Sequence, residues 1–239
     1  MKPINNAGRV IADTAIIHPE AKIEIDVIIH DYVVIEAGVT LSRGVEVFPH
    51  AVIGRRSKGV GGMANRPQAH GPTFVGSGSI IGAGATIYAG VQLGENVLIG
   101  DGARIRENCE IGDDSIVGSN CTFQNDVTMG RRSRVIDLSH ITAGVLIGDD
   151  VFISTGVLTM NDNSFNHGGE LEPPRFPDRS SVGGGAIILP GVWLGNDSIV
   201  AAGAVVTRNV PSNAVAKGIP AVSHLKPRTN PEPATWFGG

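Results

Sequence analysis

Two Asn-Asp pairs, Asn125-Asp126 and Asn161-Asp162, together with His140 between them, are the groups of this chain best suited to binding and proton transfer. A carboxylate can take a proton as an intermediate collapses, an amide can hold a water, and an imidazole exchanges protons near neutrality. Asn and Asp also cap turns by bonding their own backbone, so both readings stand at this point. Basic residues offer a second chemistry. Arg55, Arg56 and Lys58, and Arg131 and Arg132 in a second GRRS stretch, can meet a diphosphate through charge-assisted hydrogen bonds or remain solvated surface.

The elements that must position these groups follow from a period of six. From Val75 to Ile153 every sixth residue is apolar, fourteen in succession, and Ile11 to Ile53 supplies eight more. Four residues after each comes a small or β-branched one, such as Ala15, Ser79, Ala103, Cys109 and Cys121. Side chains alternate faces along a strand, so the two positions point inward together, and the intervening Gly, Asn and Asp residues suit corners. Three short strands make a triangular coil of eighteen residues. Eighteen residues separate Asn125 from Ala143 and Ala143 from Asn161, which sets the two Asn-Asp pairs on one corner, two coils apart. His140 precedes inward Ile141 and therefore points outward beside that corner.

The repeat breaks twice. Residues 54–74 and 160–181 read as loops thrown outward, the second because Pro173, Pro174 and Pro177 oppose regular strand. The period resumes at Val182, Ile188, Leu194, Val200 and Val206. A single solenoid over 1–221 and a C-terminal tail over 222–239 are expected, with Trp236 and Phe237 able to dock on a neighbour.

Composition narrows the function classes. A formal net charge of −4 gives no reason to expect nucleic acid. No run of eighteen apolar residues and no apolar leader occur in the sequence, so neither a membrane span nor secretion is expected, and the cytoplasm is the default. Cys109 and Cys121 occupy small inward positions and read as buried thiols.

The hexad period resembles the hexapeptide-repeat proteins, whose fold is an all-β, left-handed parallel β-helix. The handedness is implied by that resemblance. The segment SIVAAGAVVTRNVPSNAVAKGIPA, Ser198 to Ala221, is similar to the closing motif of hexapeptide acyltransferases, which take an acyl group from coenzyme A. GVLIGDDVFISTGVLTMND from Gly144, followed by a Pro-rich loop, is similar to N-acyltransferases of nucleotide-linked amino sugars. The resemblance implies Asn161 and Asp162, with His140, as catalytic residues. It also implies acetyl-CoA or another short acyl-CoA as donor, a dTDP- or UDP-linked amino sugar as acceptor, and a homotrimer with the donor between subunits. Asn125, Asp126, His167, Arg55 and Arg131 are candidates for acceptor binding. For coenzyme A the candidates are Gly144, Ala202, Gly203, Lys217 and Arg208.

Other sugar acyltransferases of this fold carry a turn written roughly HxxHDxxIG, with the second histidine as base. Aligned on Ile147-Gly148, this chain keeps His140 and has Ala143 at the catalytic place. A sugar amine has a pKa nearer neutrality than lysine, so attack on a thioester needs no strong base. The alternatives are an O-acetyltransferase of an antibiotic or free sugar using His167, and a non-catalytic scaffold. Zinc chemistry of the carbonic anhydrase kind calls for three converging imidazoles. The family's close His pair, five residues apart, does not occur among the seven histidines, and no metal is expected.

Overall fold

In a computed structural model, residues 8–58, 71–165 and 169–225 are described. They wind into a left-handed parallel β-helix of hexapeptide repeats, with about eleven turns and no helix. Strands of two to four residues fall on three faces. Sheet 1 runs from Val10–Ile11 to Val222–Leu225, sheet 2 from Ile16–Ile17 to Val205–Val206, and sheet 3 from Lys22–Ile23 to Arg175–Phe176. The eighteen-residue register holds along each face: Ile81 pairs with Ile99, Ile99 with Val117 and Val117 with Val135.

The inward rows are the core. Ile81, Ile87, Leu93, Ile99 and Ile105 are fully buried, and Phe123 is the largest side chain among them. Each such burial is worth roughly 1.5–3 kcal/mol, gained only when the next coil stacks. Small inward residues fill the remaining space. At Ser79, Ser115, Ser133 and Ser139 the hydroxyls bond across coils: Ser115 Oγ donates to the Gly130 carbonyl at 2.9 Å and accepts the Ser133 N–H at 3.1 Å. Glycine follows an inward aliphatic residue where coils touch. A Cβ on Gly94 would stand 2.3 Å from Asp113 Oδ1, which already accepts the Glu95 N–H at 2.9 Å.

The second loop is shorter than the 160–181 expected from its prolines. Arg175–Phe176 pairs with Leu146–Ile147 in sheet 3, and Phe176 is buried in the inward row. Pro174 fits because it takes the small inward position. In several other coils that residue's N–H makes only a turn bond, such as Ala85 to Gly82 at 3.2 Å, so little is lost when proline removes it. Beyond Arg175–Phe176 the face of sheet 3 continues through the isolated Arg175–Trp193 and Leu194–Val210 bridges. The first loop likewise returns early, at Thr73–Val75. Past Ala221, Val222–Leu225 pairs antiparallel with Ala214–Lys217 and covers that edge of sheet 1.

Candidate functional site

Both loops spring from the corner between sheets 2 and 3. The first leaves after Val52–Arg55 and returns at Thr73; the second leaves after Leu158–Thr159 and returns at Arg175. Five coil steps, about 24 Å, separate their roots. The corner between them carries Glu107, Asn125, Ala143 and Asn161 in successive coils. Direct bonds show the stacking: Asp126 N–H to Glu107 O at 3.0 Å, Gly144 N–H to Asn125 O at 3.1 Å, and Asn161 Nδ2 to Ala143 O at 3.1 Å. The two Asn-Asp pairs thus share one corner, as their spacing requires.

Their environments differ. Asp126 has φ of 60° and accepts hydrogen bonds from Asn125 Nδ2 at 2.5 Å and Asn108 Nδ2 at 3.1 Å, a corner cap. Asp162 stands where the chain leaves the corner. Its Oδ1 accepts the Ser164 N–H and hydroxyl, both at 2.6 Å, and so shapes the start of the second loop. Asn161 closes the loop's neck: its carbonyl accepts the Glu172 N–H at 2.7 Å. With Nδ2 on Ala143, its Oδ1 accepts no hydrogen bond from the described residues.

The ladder is interrupted at this place. Elsewhere the N–H after an inward residue bonds the next coil's carbonyl, as Gln124 bonds Ile141. Thr142 N–H instead bonds the Thr159 hydroxyl at 2.8 Å, and that hydroxyl donates to the His140 carbonyl at 3.2 Å. Thr159 holds a buried position that the period reserves for an aliphatic residue. His140 lies on the outer face of sheet 2, pairing with Thr122 and Leu158. It is half-buried, and desolvation pushes its pKa below the ordinary 6.5, so the imidazole is neutral at pH 7.

The donor candidates divide. Ala202 and Gly203 lie on the corner between sheets 1 and 2. Lys217 joins them, since Ala216 pairs with Val200 and its carbonyl accepts the Ala201 N–H. Gly203 has φ of 68° with open space where a Cβ would stand. Arg208 and Gly144 are on the opposite corner, so the outer face of sheet 2, with His140, spans the two groups. Arg131 sits at the third corner, between sheets 3 and 1, where its N–H bonds Asp149 Oδ1; it is separated from Asn161 by sheet 3. His167 and the tail beyond residue 225 lie outside the described residues.

A cluster at the root of the first loop escaped the sequence reading. A register shift pairs Arg55 with Tyr88, whose hydroxyl accepts from Arg55 at 3.0 Å. The guanidinium carbons of Arg55 and Arg106, from the coils on either side, are each 5.1 Å from the Tyr88 ring centre. Arg106 forks onto buried Glu107 at 2.6 and 2.9 Å. Burial pushes the Glu107 carboxyl up, but hydrogen bonds from Arg106 and Ser57 prevail and hold it below its ordinary 4.5. Glu107 was findable, standing eighteen residues before Asn125.

The bacterial transferase hexapeptide family (six repeats) matches residues 72–107 and 90–125, and the hexapeptide repeat of succinyl-transferase matches 178–208. The coils of these two stretches thus carry the hexapeptide repeat of such transferases. It is 35% identical over 83 residues to galactoside O-acetyltransferase of Escherichia coli, covering 32% of this chain and 41% of that protein. It is 47% identical over 58 residues to the Staphylococcus aureus 2,3,4,5-tetrahydropyridine-2,6-dicarboxylate N-acetyltransferase, 22% of this chain and 24% of that one. This hexapeptide-repeat chain thus spans less than half the length of these curated relatives. Its fold is that of Arabidopsis UDP-N-acetylglucosamine acyltransferase, with TM-score 0.59 and 17% identity over 90% of this chain and 73% of that one.

Proposed function

We propose that the protein is an acyl-CoA-dependent N-acyltransferase acting on the amino group of a dTDP- or UDP-linked amino deoxy sugar. Ala143 carries this reading: it stands on the corner between Asn125 and Asn161, in the place of the base histidine. A hydroxyl acceptor needs a base to be nucleophilic, whereas a neutral sugar amine attacks the thioester carbonyl directly. The C–N bond forms, the C–S bond breaks, and the ammonium proton leaves as the tetrahedral intermediate collapses to the coenzyme A thiolate. Neutral His140 is the group suited to carry that proton to the thiolate. Asn161 Oδ1 accepts from the amine and orients it, while Asp162 holds the loop.

The acyl donor lies along the corner of Ala202, Gly203 and Lys217, and its thioester meets the acceptor across the face of sheet 2. A homotrimer belongs to this reading. Exposed Ile80 and Leu98 share one outward row of sheet 1 with Ile116, and Phe152 follows beyond Arg134, a largely apolar row that a neighbouring copy can cover. The decisive experiment is thiol release from acetyl-CoA with a panel of dTDP- and UDP-linked 3-amino and 4-amino sugars. Turnover with an amine and none with its hydroxyl counterpart is expected. The galactoside O-acetyltransferase relatives favour a second reading, with a hydroxyl acceptor and His167 as base. It requires that the hydroxyl counterpart turns over and that His167→Ala abolishes activity.

A further inference from the structure

We propose that the cavity between the neck of the second loop and the end of sheet 3 is a nucleoside diphosphate site that receives the acceptor's nucleotide. Trp193 stacks on the base, Arg175 binds the phosphates and Glu172 accepts a hydrogen bond from the ribose. The assignment rests on the nucleotide-sugar reading above and deepens it. The cavity measures about 550 Å³ and is lined by Leu171, Glu172, Pro173, Arg175, Gly191 and Trp193. That volume suits a ligand of nucleotide size.

Three observations point to this ligand. Trp193 is 46% exposed on an outward row that also carries exposed Phe74 and Leu146, and it is the aromatic residue of that row that lines this cavity, in a chain with only 5% aromatics. Its backbone is fixed by the bond from its N–H to Asn209 Oδ1 at 2.8 Å. An exposed, anchored indole is a stacking platform for a base. Second, the Arg175 guanidinium lines the cavity and makes no hydrogen bond or ion pair with the described residues. Third, the Glu172 carboxylate lies over Gly191, where a Cβ would come within 2.8 Å of Oε2. A carboxylate suits a ribose diol and repels a ribose phosphate, which disfavours the 3′-phosphorylated end of coenzyme A. The Glu172 N–H bonds the Asn161 carbonyl, so a sugar beyond the diphosphate starts beside the proposed catalytic edge.

Calorimetric titration of UDP, dTDP and coenzyme A against the wild type, W193A, W193F, R175Q and E172A tests the assignment, with circular dichroism confirming that each variant folds. UDP affinity should fall about ten-fold in W193A, in line with the loss of one stacked base, and be kept in W193F. R175Q should weaken UDP and not uridine. E172A should weaken UDP more than dTDP, which has no 2′-hydroxyl. Coenzyme A affinity should be the same in all. UDP binding that W193A and R175Q leave unchanged would overturn the site while the nucleotide-sugar reading survives. Loss of coenzyme A affinity instead would make the cavity part of the donor site and also overturn the proposal. If neither nucleotide binds and a free amino sugar is acetylated, the nucleotide-sugar reading fails along with it.

Discussion

The roots of the two loops occupy the same corner of the same solenoid and are built in opposite ways. At the first, the clustered polar groups satisfy one another: Arg55 on Tyr88, Arg106 forked onto Glu107, and Ser57 bonded to the same buried carboxylate. At the second, the ladder is diverted through the Thr159 hydroxyl, Asn161 keeps an open acceptor, Arg175 has no carboxylate and Trp193 is exposed. The first is a clamp. The second leaves hydrogen-bonding capacity that the described residues do not fill. Equivalent corners of a repeat fold thus separate anchoring from binding by how completely their polar groups are satisfied.

The comparison can be broken most directly at Asn161. Asn161→Ala should lower kcat/KM by about 100-fold through loss of orientation, while the melting temperature barely moves. A large loss of stability with little loss of activity would make the neck a second clamp. Glu107→Ala should do the reverse. It leaves Arg106 without its carboxylate and should destabilise by about 2–3 kcal/mol, below the fully buried case because a quarter of the Arg106 side chain stays in water. In a thermal melt this is a fall of roughly 5–10 °C. Because the Glu107 carboxyl sits below its ordinary 4.5, the clamp's contribution is complete above that pH and fades as pH falls through the lowered value.

A pH profile sharpens the contrast further. If His140 carries the proton, kcat/KM should show, beyond the fall set by protonation of the sugar amine itself, a separate acid limb below pH 6.5, where the lowered pKa lets the imidazole protonate. His140→Gln should remove that acid limb; a limb that persists would assign it elsewhere. The smallest effect is expected beneath the clamp. Cys109 donates to the Gln124 carbonyl at 3.0 Å, and burial pushes its thiol up to about 12. Iodoacetamide at around pH 8 should leave it unlabelled in the native protein and modify it after denaturation.

Much of the fold was legible because its rule is local. One large and one small inward residue per hexad tell which side chains are buried, and the step of eighteen tells which corners align. That arithmetic put Asn125, Ala143 and Asn161 on one corner and His140 beside it. The same step of eighteen extends to Glu107, which was passed over because a glutamate at a corner reads as solvated until its burial is known. Arg175 and Phe176 were hidden by their flanking prolines, which oppose a strand of ordinary length and tolerate one of two residues.

The sequence alone determined the coil, its register and the residues that face inward, since these follow from chemistry repeated every six positions. Only the tertiary structure decided that both loops leave one corner, that Arg131 is remote from Asn161, and that Arg175 meets Trp193 beside a cavity. Those facts depend on which face each interruption falls on and on which side chains find partners across coils, and both are set by stacking between residues far apart in the chain.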